Sequence, residues 1–149
     1  MKRRIGLLAA LLISLAMAAP SFAQDLAGEW RFKRRAREGW HTGRLVIDGD
    51  GQVSQTGRSP MQDYAQCGRV VVPGGGKIEI VFTSVKTGRG YSLDHFYCTV
   101  QNESALRCFN IDGIGKENDL FVIERTRGTR GSPDGQFDDV CPAGPRPQV

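Results

Sequence analysis

The chain has 149 residues, of which 20 are Lys or Arg and 16 are Asp or Glu, for a formal net charge of +4. That length supports one domain with a real core but not two. Setting aside Lys2, Arg3 and Arg4 at the N-terminus leaves 17 basic against 16 acidic residues, so the chain that follows is near neutral and makes no electrostatic case for nucleic acid.

Residues 1–23 fall into three zones: the basic group Lys2, Arg3 and Arg4, an apolar run over 5–19, and the sequence Pro20-Ser21-Phe22-Ala23. This is the layout of a secretory signal. The small residues Ser21 and Ala23 place cleavage before Gln24. The apolar run is too short for a stable membrane span, which needs about 20 residues. The expected product is a periplasmic or secreted protein, with a β domain over 24–127 and an irregular, Gly- and Pro-rich tail over 128–149.

Short alternating runs separated by glycine-rich breaks then follow one another, which is the punctuation of strands. The run 30–35 puts Trp30 and Phe32 on one face and Arg31, Lys33 and Arg35 on the other. The run 41–48 carries Leu45 and Ile47 on one face and ends in Asp48-Gly49-Asp50-Gly51, a tight-turn sequence. As a calcium loop starting at Asp48, that segment would need a glutamate where Ser59 stands, so it reads as a turn. Further strands are expected over 52–58, 68–73, 77–86, 91–101, 105–112 and 119–126, with residues 60–64 as a connection. Folding the chain at Asn102-Glu103-Ser104 brings Cys98 opposite Cys108.

All four cysteines, Cys67, Cys98, Cys108 and Cys141, follow the signal, and an even count in an oxidising compartment reads as disulfides. Four cysteines allow three pairings. No Cys-x-x-Cys pair is present, so no metal site is expected. About eight strands joined by hairpin-length connections predict an all-β, antiparallel up-and-down barrel, whose closure removes exposed edges.

Gly28-Glu29-Trp30, at the start of the first strand, resembles the Gly-x-Trp signature of lipocalins and the wider calycin barrels. The resemblance implies that Gly28 and Trp30 close one end of the barrel and that Arg125 or Arg127 packs across the indole. It also implies a bond from Cys67 to Cys141 that ties the tail to the fourth strand. Asp25-Leu26-Ala27-Gly28-Glu29-Trp30 is similar to the opening of small bacterial metalloprotease inhibitors. Here only residues 24–27 precede the barrel, so binding through loops or the barrel mouth ranks above plugging an active site.

Arg31, Lys33, Arg34, Arg35 and Arg37, continued by Arg44, form the densest basic patch. It reads first as a solvated strand face, and functionally as a contact for an anionic partner such as lipopolysaccharide, a cell-wall polymer or an acidic protein. His41 and His95 are the only histidines, and an enzyme would need one of them in a cleft beside a carboxylate or another polar group. Asp94 and His95, as strand neighbours, point to opposite faces and cannot orient one another. Tyr91, Tyr97, Phe96, Phe109 and Phe121 are core candidates, and Tyr91, Tyr97 and Phe109 the expected contacts of any ligand at the barrel mouth. The reading is an exported, non-catalytic binding barrel that holds a small apolar ligand or a secreted or periplasmic protein partner. The alternatives are an inhibitor of a protease or lysozyme and, behind it, a secreted hydrolase. No cofactor and no nucleic-acid partner are expected.

Overall fold

The computed structural model describes residues 25–112, 115–116, 120–127 and 141. The expected signal over 1–23 and, apart from Cys141, the tail over 128–149 lie outside the described residues. Among the described residues nine strands run in chain order: β1 (Gly28–Ala36), β2 (Gly39–Ile47), β3 (Gln52–Arg58), β4 (Asp63–Gly74), β5 (Lys77–Thr87), β6 (His95–Asn102), β7 (Ala105–Asp112), the two-residue β8 (Gly115–Lys116) and β9 (Phe121–Arg127). Each of β1 to β6 pairs antiparallel with the next, β6 pairs with β7, β7 with β9, and β9 with β1. The sheet therefore closes as an eight-stranded barrel, with β8 extending the ladder beside the far end of β7.

Period-two alternation dictates what fills the interior. Trp30, Phe32, Leu45, Ile47, Ile78, Ile80, Phe82, Phe96, Leu106, Phe121 and Ile123 are buried together in one apolar cluster. Phe96 sits at its centre, with the rings of Phe32, Phe82 and Phe121 each packed edge-on to it at 5.1–5.6 Å. Such tilted pairs add about 0.5–1.5 kcal/mol each to simple burial.

The wall bends where it lacks side chains. Gly43 and Gly57 pair with one another on β2 and β3 and face inward. A Cβ on Gly43 would lie 2.3 Å from the Phe32 ring, and one on Gly57 2.4 Å from the Tyr64 ring. The two rings thus lie directly on bare backbone, which is how a small barrel combines sharp coiling with a filled core.

Trp30 is fully buried at one end, and its Nε1 donates to the Leu26 carbonyl at 2.9 Å. The Arg125 guanidinium lies 4.2 Å from the indole centroid and donates to the carbonyls of Ala27, Asp25 and Glu103. The side chain of Arg127 is outside the described residues. Cys98 and Cys108 face each other in the β6–β7 register and are bonded, and Cys67 is bonded to Cys141.

Two boundaries differ from the sequence reading by more than two residues. β4 begins at Asp63, five residues before the expected start at 68, so Tyr64 and Gln66 are strand residues that face inward. β6 begins at His95, not 91. Gly88 and Gly90 hold left-handed φ angles of 98° and 75°, which close a turn from Gly88 to Tyr91 instead of extending a strand. Asp48 takes the backbone N–H groups of Asp50 and Gln52 on Oδ1, so this segment is the expected turn.

Candidate functional site

The barrel end opposite Trp30 is ringed by the β1–β2 turn, the 59–62 connection and the 88–94 connection. Beneath these loops the interior changes from apolar to polar. Arg34, His41, Gln55, Gln66, Asp94 and Asn110 are all buried there. Arg34 is placed by the same alternation that turns Trp30 and Phe32 inward. It therefore leaves the basic patch, whose remaining members Arg31, Lys33, Arg35 and Arg37 are exposed.

Asp94 is the hub. Its Oδ1 accepts from Arg34 Nη2 at 2.9 Å and Asn110 Nδ2 at 2.8 Å, and its Oδ2 accepts from Gln66 Nε2 at 2.8 Å and the Tyr91 hydroxyl at 3.1 Å. The Asp94 backbone N–H donates to Gln66 Oε1 at 3.0 Å. All four groups at the carboxyl oxygens are donors, so the pocket is built for the carboxylate. Burial pushes this carboxyl up from the ordinary range, against the opposing pull of Arg34, Gln66, Asn110 and Tyr91.

The network continues to the surface. His41 Nε2 lies 2.6 Å from Glu38 Oε1, and Nδ1 lies 3.3 Å from the Tyr91 oxygen and 3.5 Å from Arg34 Nη2. With a carboxylate on one side and a guanidinium on the other, the ring is assigned as donating from Nε2 and accepting at Nδ1. Burial works to raise the Glu38 carboxyl, but its own backbone N–H, the His41 hydrogen bond and the nearby Arg34 outweigh it and leave the pKa lowered. Arg37, Glu38, His41, Met61 and Tyr91 line a cavity of about 220 Å³ that opens between the loops.

Of the three expected ligand contacts, Tyr91 belongs to this mouth, stacked on Tyr64 at 4.0 Å. Tyr97 and Phe109 lie elsewhere, paired across β6 and β7 and stacked at 5.3 Å on the outer wall. His95 stacks on the other side of Tyr97 at 4.1 Å, and its Nε2 meets Glu79 at 2.9 Å. Asp94, the last residue before β6, points into the barrel, and His95, the first residue of β6, lies on the outer side. The sequence reading left out Gln55, Gln66 and Asn110, although each occupies an inward position of its strand. It also left out Trp40, which is 56% exposed on the basic face with Lys33 Nζ 4.7 Å from its ring.

Burial and the Asp94 charge push the Tyr64 phenol up to about 12, and the same causes raise Tyr91. An unfolded tyrosine ionises near pH 10, roughly, while the folded one keeps its proton, so this contribution to stability is whole below that pH and lost above it. Unfolding free energies from urea titrations should hold steady up to about pH 9.5 and then fall, with a slope approaching about 1.4 kcal/mol per pH unit for each tyrosine. Tyr64→Phe should make the fall shallower. An unchanged slope in that variant would refute the assignment.

No protein-family model and no curated protein matches the sequence. Among solved structures, the chain is similar to a redesigned β-barrel, mFAP1, bound to DFHBI, with 14% identity and a TM-score of 0.59 over 70% of this chain and 97% of that one. It is also similar to a de novo designed fluorescence-activating β-barrel, with 15% identity and a TM-score of 0.54 over 70% and 96% of the two chains. A second redesigned barrel matches with 14% identity and a TM-score of 0.57 over 71% and 95%. At these identities the likeness is one of fold.

Proposed function

We propose that the chain is an exported, non-catalytic binding barrel that meets a protein partner through the loops of its polar mouth. The observation that carries this reading is the filled interior, with a packed aromatic cluster in one half and a hydrogen-bonded Arg34–Asp94 network in the other. The mouth cavity of about 220 Å³ is smaller than the roughly 300 Å³ at which pockets for drug-sized ligands begin. His41 has both ring nitrogens within the network, one on Glu38 and the other facing Tyr91 and Arg34, which suits an orienting role at the rim.

The rim also presents a firm contact. Ser59 closes the 59–62 connection by accepting from the N–H groups of Met61 and Gln62 and donating to the Gln62 carbonyl. This turn holds Met61 82% exposed. A preformed loop that displays one flexible apolar side chain lowers the ordering cost of binding a protein. An inhibitor of a secreted protease or lysozyme would use the rim in this way. Export is supported by the 1–23 layout and by two disulfides, which persist in oxidising compartments.

A second reading, a small apolar ligand, is favoured by the fold, since the mFAP1 barrel is bound to DFHBI. Native mass spectrometry of gently purified protein, with a DFHBI titration beside it, separates the two. The partner reading expects neither a retained small molecule nor saturable uptake of the probe. It also expects that a periplasmic protein captured by the wild-type chain is released by Met61→Asp. Stoichiometric uptake of the probe would replace it with the small-ligand reading.

A further inference from the structure

Gly43 and Gly57 are neighbours across β2 and β3. Directly over this glycine pair the outer wall is hollowed into an open groove of about 730 Å³. Two rows of outward side chains border the groove, and the strand registers fix both. One runs Arg31, Arg44, Thr56, Ala65 and Thr87 across β1 to β5, and the other runs Thr42, Arg58 and Asp63 across β2 to β4. Four inter-strand steps of about 4.8 Å give the groove a length of roughly 19 Å.

The charges in it are held in position. Glu29, nearly buried, contacts Arg44 Nε at 3.1 Å and Arg31 Nη2 at 3.5 Å, so one carboxylate sets two guanidiniums side by side. Asp63 holds Arg58 Nε at 2.8 Å. Arg31 and Arg58 stay exposed. A guanidinium has five N–H donors, so the exposed Arg31 and Arg58, each anchored through one contact, can present the rest of the fork to another carboxylate or sulfate. Lys33 lies opposite Thr42 and extends the positive row.

We propose that this groove binds an anionic polysaccharide, a chain carrying carboxylate or sulfate groups. The length suits an extended polymer and not a single ion. The hydroxyls of Thr42, Thr56 and Thr87 in the same rows as the cations suit a hydroxylated chain. A nucleic acid would ask for aromatic faces in the groove, but Phe32 and Tyr64 lie beneath its floor and turn inward. An acidic peptide cannot dock here by strand addition, because the closed ladder across β1 to β5 offers no free edge.

The test is calorimetric titration of the chain with heparin and polygalacturonate, alongside dextran, polyglutamate and single-stranded DNA. Both anionic polysaccharides should bind, dextran should not, and affinity should fall as salt rises. Arg31→Gln with Arg58→Gln should weaken binding at least about tenfold, whereas Arg37→Gln with Lys77→Gln, the same charge change elsewhere, should weaken it less than about twofold. Thermal melts of both variants establish that they fold. Equal losses in the two double variants, tighter binding of polyglutamate or DNA than of either polysaccharide, or no binding at all would each overturn the proposal. Met61→Asp should leave polysaccharide binding unchanged, so failure at the groove and failure at the rim are separately visible.

Discussion

Replacing Asp94 with alanine should cost about 3–5 kcal/mol of stability, a large share of what a domain of this size possesses. Arg34 and Asp94 have 2% and 1% of their side-chain surfaces exposed, so both charges are withdrawn from water and depend on buried partners. The substitution would strand a guanidinium in the interior and leave Gln66, Asn110 and Tyr91 without the acceptor toward which all three now donate. Asp94→Asn should be nearly as harmful, because it keeps the shape but removes the charge and turns an amide N–H group toward other donors. Arg34→Met combined with Asp94→Leu should recover most of the loss, since a buried pair replaced by packed apolar side chains is often close to neutral. Urea unfolding of the three variants checks this. A loss below about 1 kcal/mol in Asp94→Ala would mean that the pair is hydrated and that the interior is not filled.

The barrel was legible because the strongest sequence signals act at short range. Alternation in β1 and β5, the Asp-Gly turn after β2 and the three-residue loop that sets Cys98 against Cys108 each follow from local chemistry, and hairpin connections leave little freedom in strand order. The beginning of β4 was not legible. Asp63-Tyr64-Ala65-Gln66 has no apolar alternation to mark it, because its inward residues join a polar network and not the apolar cluster. The excess length expected of β6 has the converse cause, since Tyr91 looks like a strand residue until the two left-handed glycines ahead of it are known.

The candidate site was read less well, for the same reason. Strand parity applied without exception would have turned Arg34 inward, but its four basic neighbours suggest one solvated surface. Asp94 was compared with His95, its neighbour in sequence, whereas its partners lie 3, 16, 28 and 60 residues away. Pairings that distant depend on how the closed sheet brings β1, β4 and β7 around one point, and no local pattern encodes them. The groove is a further case. Gly43 and Gly57 look like weak points in two strands, and only the register that sets them side by side shows that they shape the wall.

Trp30→Ala should cost about 3–5 kcal/mol, the range for emptying a buried aromatic site. The indole does three things at once: it fills the closed end beside Leu26 and Leu45, donates Nε1–H to the Leu26 carbonyl, and lies under the Arg125 guanidinium. The last two can be separated from the first. Trp30→Phe keeps an apolar ring but loses the donor, so it should cost about 1–3 kcal/mol as the Leu26 carbonyl goes unsatisfied. Arg125→Met keeps the packing stem but removes the cation and its bonds to the Asp25 and Ala27 carbonyls, which tie the last strand to the chain entering the first, and to the Glu103 carbonyl in the β6–β7 loop. Its loss should be about 1–2 kcal/mol, and amide exchange should quicken at the β1–β9 seam before the rest of the barrel. If exchange quickens uniformly, Arg125 contributes only to global stability and the closure depends on the strand ladder alone.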